Sequence, residues 1–333
     1  MINRRHFIKG GIALVLAFLT GSRIRLWNQS PHLLESTRTM MGTSVAAMVV
    51  HDDVDSAREA MTQAFGDMHK IDSLMSIYRN DSEIATLNRN CFCENPTTDT
   101  IAVIKRAIHY SNLSGGAFAI TILPIIEMWR EKTGAGRHPT EDELNGALEL
   151  VRPEYIALDS GAIRFKKPGM GITLGGIAKG YAVDRAIETL GQRNIKHALI
   201  NAGGDIRALG GKAEGVPWKV ALRNPENKED SLTVLSLYDG AVATSGNYER
   251  CFNEEAKATH ILDPRSGHPV QDLLSVTVIA ESAMDADALS TTAFVLGAEK
   301  GMRLIEKLDG VEALIVTGEK EIVRSNGFHH YEV

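Results

Sequence analysis

The chain has 333 residues, a formal net charge of −6 from 36 Lys and Arg against 42 Asp and Glu, and 44% hydrophobic and 23% charged residues. Such a composition excludes a disordered chain, a collagen and a coiled coil, and it leaves ample core for one large domain or two smaller ones. Mild acidity argues against broad nucleic-acid binding, which needs a basic face.

The charge is unevenly placed. Residues 1–25 carry Arg4, Arg5, Lys9, Arg23 and Arg25 and no acid, so the remainder sets 31 bases against 42 acids. A basic head precedes an apolar run, Gly10–Leu19, of signal-peptide length but short for a spanning helix. Asn3–Lys9 (NRRHFIK) resembles the bacterial twin-arginine export motif. No Ala-x-Ala site follows cleanly, and no cysteine follows the run, so lipoprotein processing is not expected. The leader, residues 1–25, is either removed or kept as a membrane anchor, and is set apart from the fold.

Along the body, Thr39–Val50 reads as a strand. Ala57, Ala60, Met61, Ala64, Phe65, Met68, Ile71 and Met75 recur at steps of three and four, predicting a helix over 55–75 with methionines in its core face. Asp99–Asn112 predicts a second helix, stopped by Gly115-Gly116. Cys91 and Cys93 form C-x-C, and with Cys251 they make an odd count without paired spacing: a poor zinc site, no disulfide framework, and thiols without a catalytic role, with one disulfide involving Cys251 left open. Thr140–Leu150 is an acidic surface helix. Tyr155–Ala157 and Ala162–Phe165 flank a turn, a helix covers 178–190, and strands follow at 197–201, 219–222, 232–237, 241–244 and 274–280. Helices over 287–296 and 299–308 precede a strand at 313–317. Helices and consecutive strands mix without regular βαβ alternation, which favours α+β, and with no Pro/Ser linker a single compact body is expected.

Four segments carry candidate chemistry. In Thr173–Asp184 (TLGGIAKGYAVD) glycines precede a helix start with Lys179 in its first turn, a pattern suited to phosphate though neither a Walker A loop nor a Rossmann fingerprint. Helix–strand packing explains the glycines equally well. Asn201–Arg207 (NAGGDIR) ends a strand in two glycines and an acid, suited to a plain turn or to close ligand approach. Val242–Tyr248 and His260–Gly267 follow, with His260 a candidate base near neutral pH. In Ala283–Thr292, Asp287 and Thr291 are four apart and share one helix face; a carboxylate and a hydroxyl are hard ligands suited to magnesium, while Asp285 reads as a helix cap.

Taken together and in order, these pieces resemble the FAD:protein FMN transferase family, the ApbE-type flavin transferases. The resemblance runs from about Thr39 to Ile322 and includes Met40–Thr43, Ser76-Ile77-Tyr78, Ser82-Glu83-Ile84, Leu87-Asn88, Ser114–Phe118, Leu174–Asp184, Asn201–Arg207, Ala243–Gly246, His260–Gly267 and Ala286–Leu289 with Thr291. It implies an α+β fold over residues 35–330, with the flavin site between its two parts. It implies transfer of FMN from FAD to a Ser or Thr hydroxyl of a target flavoprotein, with Mg2+ and release of AMP; respiratory flavoprotein subunits are the targets it suggests. Two alternatives are a FAD pyrophosphatase and a non-catalytic flavin-binding protein. By motif position, Asp287, Thr291 and the Gly176 carbonyl would bind magnesium, and Lys179 and Thr173 would meet FAD. Met41, Tyr78, Gly116, Ala117, Phe118 and Ile261 would line the flavin site, with His260 as the base. Two positions depart from the family pattern: Ala119 and Thr173 stand where acids are common, and each removes a charged contact beside the cofactor.

Overall fold

The computed structural model describes residues 31–227, 230–247, 251–253, 258–259 and 261–333, so the leader and His260 lie outside the described residues. Its framework is an eight-stranded sheet in which every neighbouring pair is antiparallel. In spatial order the strands are β1 (His32–Met40), β2 (Thr43–His51), β6 (His197–Ala202), β7 (Asp205–Leu209), β10 (Gly240–Gly246), β13 (Leu273–Ala280), β14 (Glu312–Thr317) and β15 (Ile322–Arg324). A smaller sheet holds β3 (Phe92–Glu94), β5 (Ala162–Phe165) and β4 (Ile156–Asp159). Consecutive strands and separate helices make this α+β, as expected.

Side-chain alternation splits the large sheet into two buried faces. Ala198, Ile200, Ala241, Ala243, Val276, Val278, Ala313 and Ile315 face one core. Leu199, Val242, Ile279, Leu314 and Val316 face the other, which a hairpin of β8 (Trp218–Arg223) and β9 (Ser231–Leu237) covers with Trp218, Val220, Leu222, Leu235 and Leu237.

Helices cover the first face. The 55–75 periodicity is realised as α1 (Val54–Met75), capped by Asp53, with all eight predicted positions buried. Its alanines allow close packing on α6 (Ala178–Gln192), whose Ala182, Val183 and Ala186 are in the same core. Beside them lies α7 (Ala283–Ile305), broken at Gly297, where φ is 79° and ψ 172°. That break matches the two helices read from the sequence. The remaining helices are α2 (Glu83–Asn90), α3 (Thr98–Leu113), α4 (Leu123–Gly134) and α5 (Glu141–Leu148). α4 and α5 form a satellite core with Ile125, Trp129, Leu144, Ala147, Ala119 and Leu262. Among the described residues, no helix is long and apolar enough to cross a membrane.

Three expectations need correction. Thr39–Val50 is not one strand: Met41 (φ 52°) and Gly42 (φ 71°) turn the chain, and Met40 pairs with Thr43 in a two-residue hairpin. Asp205 does not end a strand but opens β7, because Gly203 and Gly204, both at positive φ, make a second hairpin. Asp285 is not the cap of α7; Ser282 accepts the Asp285 amide at 3.1 Å and starts the helix at Ala283. The helices α2 and α4 were not foreseen.

Candidate active site

The site grows from the crossing of α6 and α7. Gly180 has no side chain because there is no room for one. A Cβ there would lie 2.2 Å from the Ala283 carbonyl oxygen and 2.8 Å from Met284 Cα, both backbone atoms. This contact lets the Gly180 amide donate to Asp287 Oδ2 at 3.1 Å. Asp184, one turn further along α6, ties the same crossing: its carboxylate accepts the Ala283 and Met284 amides at 2.8 and 2.9 Å and Arg207 Nη1 at 2.6 Å. A carboxylate on the first turn of α7 satisfies amides that have no partner within the helix. Asp285, on the outer side, pairs with Arg106 Nε at 2.7 Å. Burial pushes the Asp285 carboxyl up, but the bonds from Arg106 and Tyr110 outweigh burial and hold it below the ordinary value.

Predicted metal ligands converge here. The turn before α6 brings Gly176 so close to α7 that a Cβ would lie 3.3 Å from Thr291 Oγ1 and 3.4 Å from Phe118 Cε2. Asp287 and Thr291 lie on α7, and Asp287 is only 6% exposed. Lys179, in the first turn of α6, forms an ion pair with the buried Asp205 at the start of β7. Burial first, and then the neighbouring Asp205 carboxylate, push the Asp287 carboxyl well above its ordinary value; Lys179 pulls it back in part. Two acids buried side by side are eased by a shared proton or by positive charge, part of which Lys179 supplies. A carboxylate, a hydroxyl and a peptide carbonyl are hard oxygen donors, and this set fits Mg2+. Among the described residues no group of three His, Cys, Asp or Glu gathers.

The flavin-lining candidates lie on separate elements, and among them Phe118 reaches this cluster, its ring edge 3.4 Å from where a Gly176 Cβ would lie. Phe118 follows the Gly115-Gly116 stop of α3; its amide donates to Ser114 Oγ at 3.0 Å, and its ring meets Tyr110 edge-on. Ala117 and Phe118 are buried. Thr173 Oγ1 accepts the Gly175 amide at 3.3 Å, and Asn88 clamps both the N–H and C=O of Ile172 just before it, so the glycine turn is held at its entrance. Met41 sits at the β1–β2 tip. That tip abuts the Gly203-Gly204 turn, where the Gly203 amide donates to the Ser44 carbonyl at 3.2 Å. Tyr78 is 71% exposed and carries Arg130, whose Nη2 donates to the Tyr78 hydroxyl at 3.3 Å. Ile261 is buried, and the following turn is fixed by Trp129 Nε1, which donates to the Gly267 carbonyl at 2.7 Å. Arg265, paired with Asp263 at 2.7 Å, leans over Gly116. These two border a cleft of about 430 Å³, lined also by Ala119, Ser111, Val151 and Arg152.

Reasoning from sequence missed Asp205, Asp184 and Arg207 as individual site residues. The signal for Asp205 and Arg207 was present: charges two apart in an otherwise apolar strand point to one face, here toward α6, where Lys179 and Asp184 meet them. Among the described residues, Cys91 and Cys93 are free thiols.

Known proteins share this fold over most of its length. The ApbE family profile matches residues 41–315. The FAD:protein FMN transferase of Vibrio cholerae is 32% identical over 246 residues, 72% of this chain and 74% of that protein. The crystal structure of the ApbE protein of Thermotoga maritima matches with a TM-score of 0.83 at 32% identity, over 91% of this chain and 100% of that one. The flavin transferase ApbE of Vibrio cholerae gives a TM-score of 0.76 at 26% identity, over 91% and 100%.

Proposed function

The chain belongs to the ApbE family, and from that membership we propose that it is an Mg2+-dependent transferase moving FMN from FAD to a Ser or Thr hydroxyl of a target flavoprotein. The new bond is a phosphoester between that hydroxyl and the FMN phosphorus; the pyrophosphate bridge breaks, and AMP leaves with its electrons. One observation carries this reading: two pairs more than a hundred residues apart in the chain, Gly176 with Lys179 and Asp287 with Thr291, meet at the crossing of α6 and α7.

The chain's own groups divide the work. The Lys179 ammonium, in the first turn of α6, favours the pyrophosphate, while the Gly180 amide of the same turn is given to Asp287. Asp287, Thr291 and the Gly176 carbonyl would hold Mg2+, which when bound neutralises charge on the transferring phosphoryl group. Met41, Tyr78, Gly116, Ala117, Phe118 and Ile261 line the flavin. His260, beside Ile261 in sequence, takes the acceptor proton. Thr173 replaces an acid but shapes the glycine turn with its hydroxyl; Ala119, which borders the cleft, has no such handle.

The leader's twin-arginine resemblance supports export, with activity on the outer face of the cytoplasmic membrane and retention there if the leader stays attached. Respiratory flavoprotein subunits suit that location as targets.

The test is incubation with FAD, Mg2+ and a flavoprotein domain bearing an acceptor threonine, read by intact mass. The target gains an FMN adduct and AMP appears in equal amount. AMP and free FMN in equal amounts, without any adduct, would instead establish the pyrophosphatase; FAD binding with no AMP would establish a carrier.

A further inference from the structure

We propose that Ser245, on β10, is a positioning residue that fixes the direction of the Thr291 hydroxyl, so that Thr291 meets the cation as an acceptor only. The proposal rests on the cation reading given above.

The inference follows from counting protons, since each hydroxyl has one to donate. Ser290 Oγ lies 2.9 Å from the Asp287 carbonyl oxygen, which can only accept. The Ser290 proton is therefore committed to that bond. Ser245 Oγ lies 2.8 Å from Ser290 Oγ and must donate to it. With its own proton committed, Ser245 can only accept at its 3.1 Å contact with Thr291 Oγ1. Thr291 is thus the donor in that contact. The relay runs in one direction, from Thr291 through Ser245 and Ser290 to the backbone of Asp287.

This direction matters for a metal. A hydroxyl binds a cation through its lone pairs, and a proton pointed at the cation repels it. In a helix, a threonine hydroxyl commonly turns back to the carbonyl four residues earlier, as Thr292 does toward Ala288 at 2.7 Å. Ser245 gives the Thr291 proton a different partner and leaves its lone pairs available beside Gly176, whose added Cβ would lie 3.3 Å from Thr291 Oγ1. The relay ends on the backbone carbonyl of Asp287, while the Asp287 carboxylate is held separately by the Gly180 amide. Ser245 reaches them because β10 packs under α7, with its flanking Ala243 buried in the same core as Leu289 and Ala293.

Mn2+ binding to the purified protein, followed by the loss of the free Mn2+ EPR signal, tests this without turnover. Ser245→Ala should raise the dissociation constant about tenfold, the size expected for loss of a group that orients a metal ligand. Ser290→Ala should raise it less, because Ser245 keeps its acceptor role but loses its fixed direction. Ser245→Cys, with a weak acceptor of similar shape, should fall between wild type and Ser245→Ala. In FMN transfer, the loss should appear in the half-saturating Mg2+ concentration more than in turnover at saturating Mg2+. Wild-type Mn2+ affinity in a folded Ser245→Ala overturns the proposal. If that variant does not fold, unchanged affinity in both Ser290→Ala and Ser245→Cys overturns it. Failure of the wild type itself to bind Mn2+ overturns the underlying cation reading, and the positioning role with it.

Discussion

Replacing Gly180 by alanine probes the contact on which the whole site depends. In an open helix interior, Gly→Ala stabilises a protein by about 0.5–1 kcal/mol, because alanine loses less backbone entropy on folding. At Gly180 the added methyl would sit 2.2 Å from the Ala283 carbonyl oxygen and 2.5 Å from its carbonyl carbon, whereas ordinary contacts begin at 3.4 Å. No side chain can yield there, so α6 and α7 must part by about 1 Å. Overpacking of that kind costs roughly 1–3 kcal/mol and reverses the sign expected from propensity. A separation of about 1 Å also misplaces Asp287 against the Gly176 turn, enough to lower transfer by about 100-fold. Gly66 in α1 is the control, because a Cβ there meets nothing within 4 Å. Thermal melts should show Gly66→Ala at or above wild type and Gly180→Ala lower by roughly 5 °C. Intact-mass assays should show near-complete loss of FMN transfer only in Gly180→Ala. Wild-type melting and turnover in Gly180→Ala would refute the claim that this crossing has no slack.

Other outcomes follow from the same geometry. Asp287→Ala should abolish Mg2+-dependent transfer while leaving the fold in place, and EDTA should do the same to the wild type reversibly; full activity at low Mg2+ would remove Asp287 from the ligand set. His260→Ala should slow transfer more than it weakens FAD binding, and equal losses would recast His260 as a binding residue. Asp99 joins three helices, accepting Tyr181 Oη at 2.7 Å and Lys70 Nζ at 3.0 Å. Burial raises its carboxyl, yet the bonds from Tyr181 and Lys70, helped by Arg185, outweigh burial and hold it below 3.8. Its contribution is therefore full above pH 3.8 and fades as pH falls through the lowered folded value. Asp99→Asn should cost about 1–2 kcal/mol at pH 7 in urea melts, and the difference from wild type should shrink below pH 4; a difference that grows on acidification would contradict the assignment.

Much of this molecule is legible in one dimension because much of it is periodic. The eight apolar positions of α1 name its buried face, since 3.6 residues per turn is a local property. The break at Gly297 shows as a gap between two apolar patterns, and the acidic run that follows Thr140 marks α5. Asp287 and Thr291 share a helix face for the same local reason. The order of short motifs located the family, and with it most of the candidate ligands.

Three-dimensional packing decided the rest. Nothing local separates Thr39–Val50 as one strand from two strands around Met41-Gly42; the hairpin exists because β2 must pair with both β1 and β6. Asp205 became a site residue only when the Gly203-Gly204 turn sent β7 back under α6 and brought its carboxylate to Lys179. Ser245 acquires its role solely from the stacking of β10 beneath α7. A sequence records which groups can donate, accept or carry charge. Whether two of them lie 3 Å apart depends on sheet register and helix crossing, which are set by all the contacts of the core together and by no single segment.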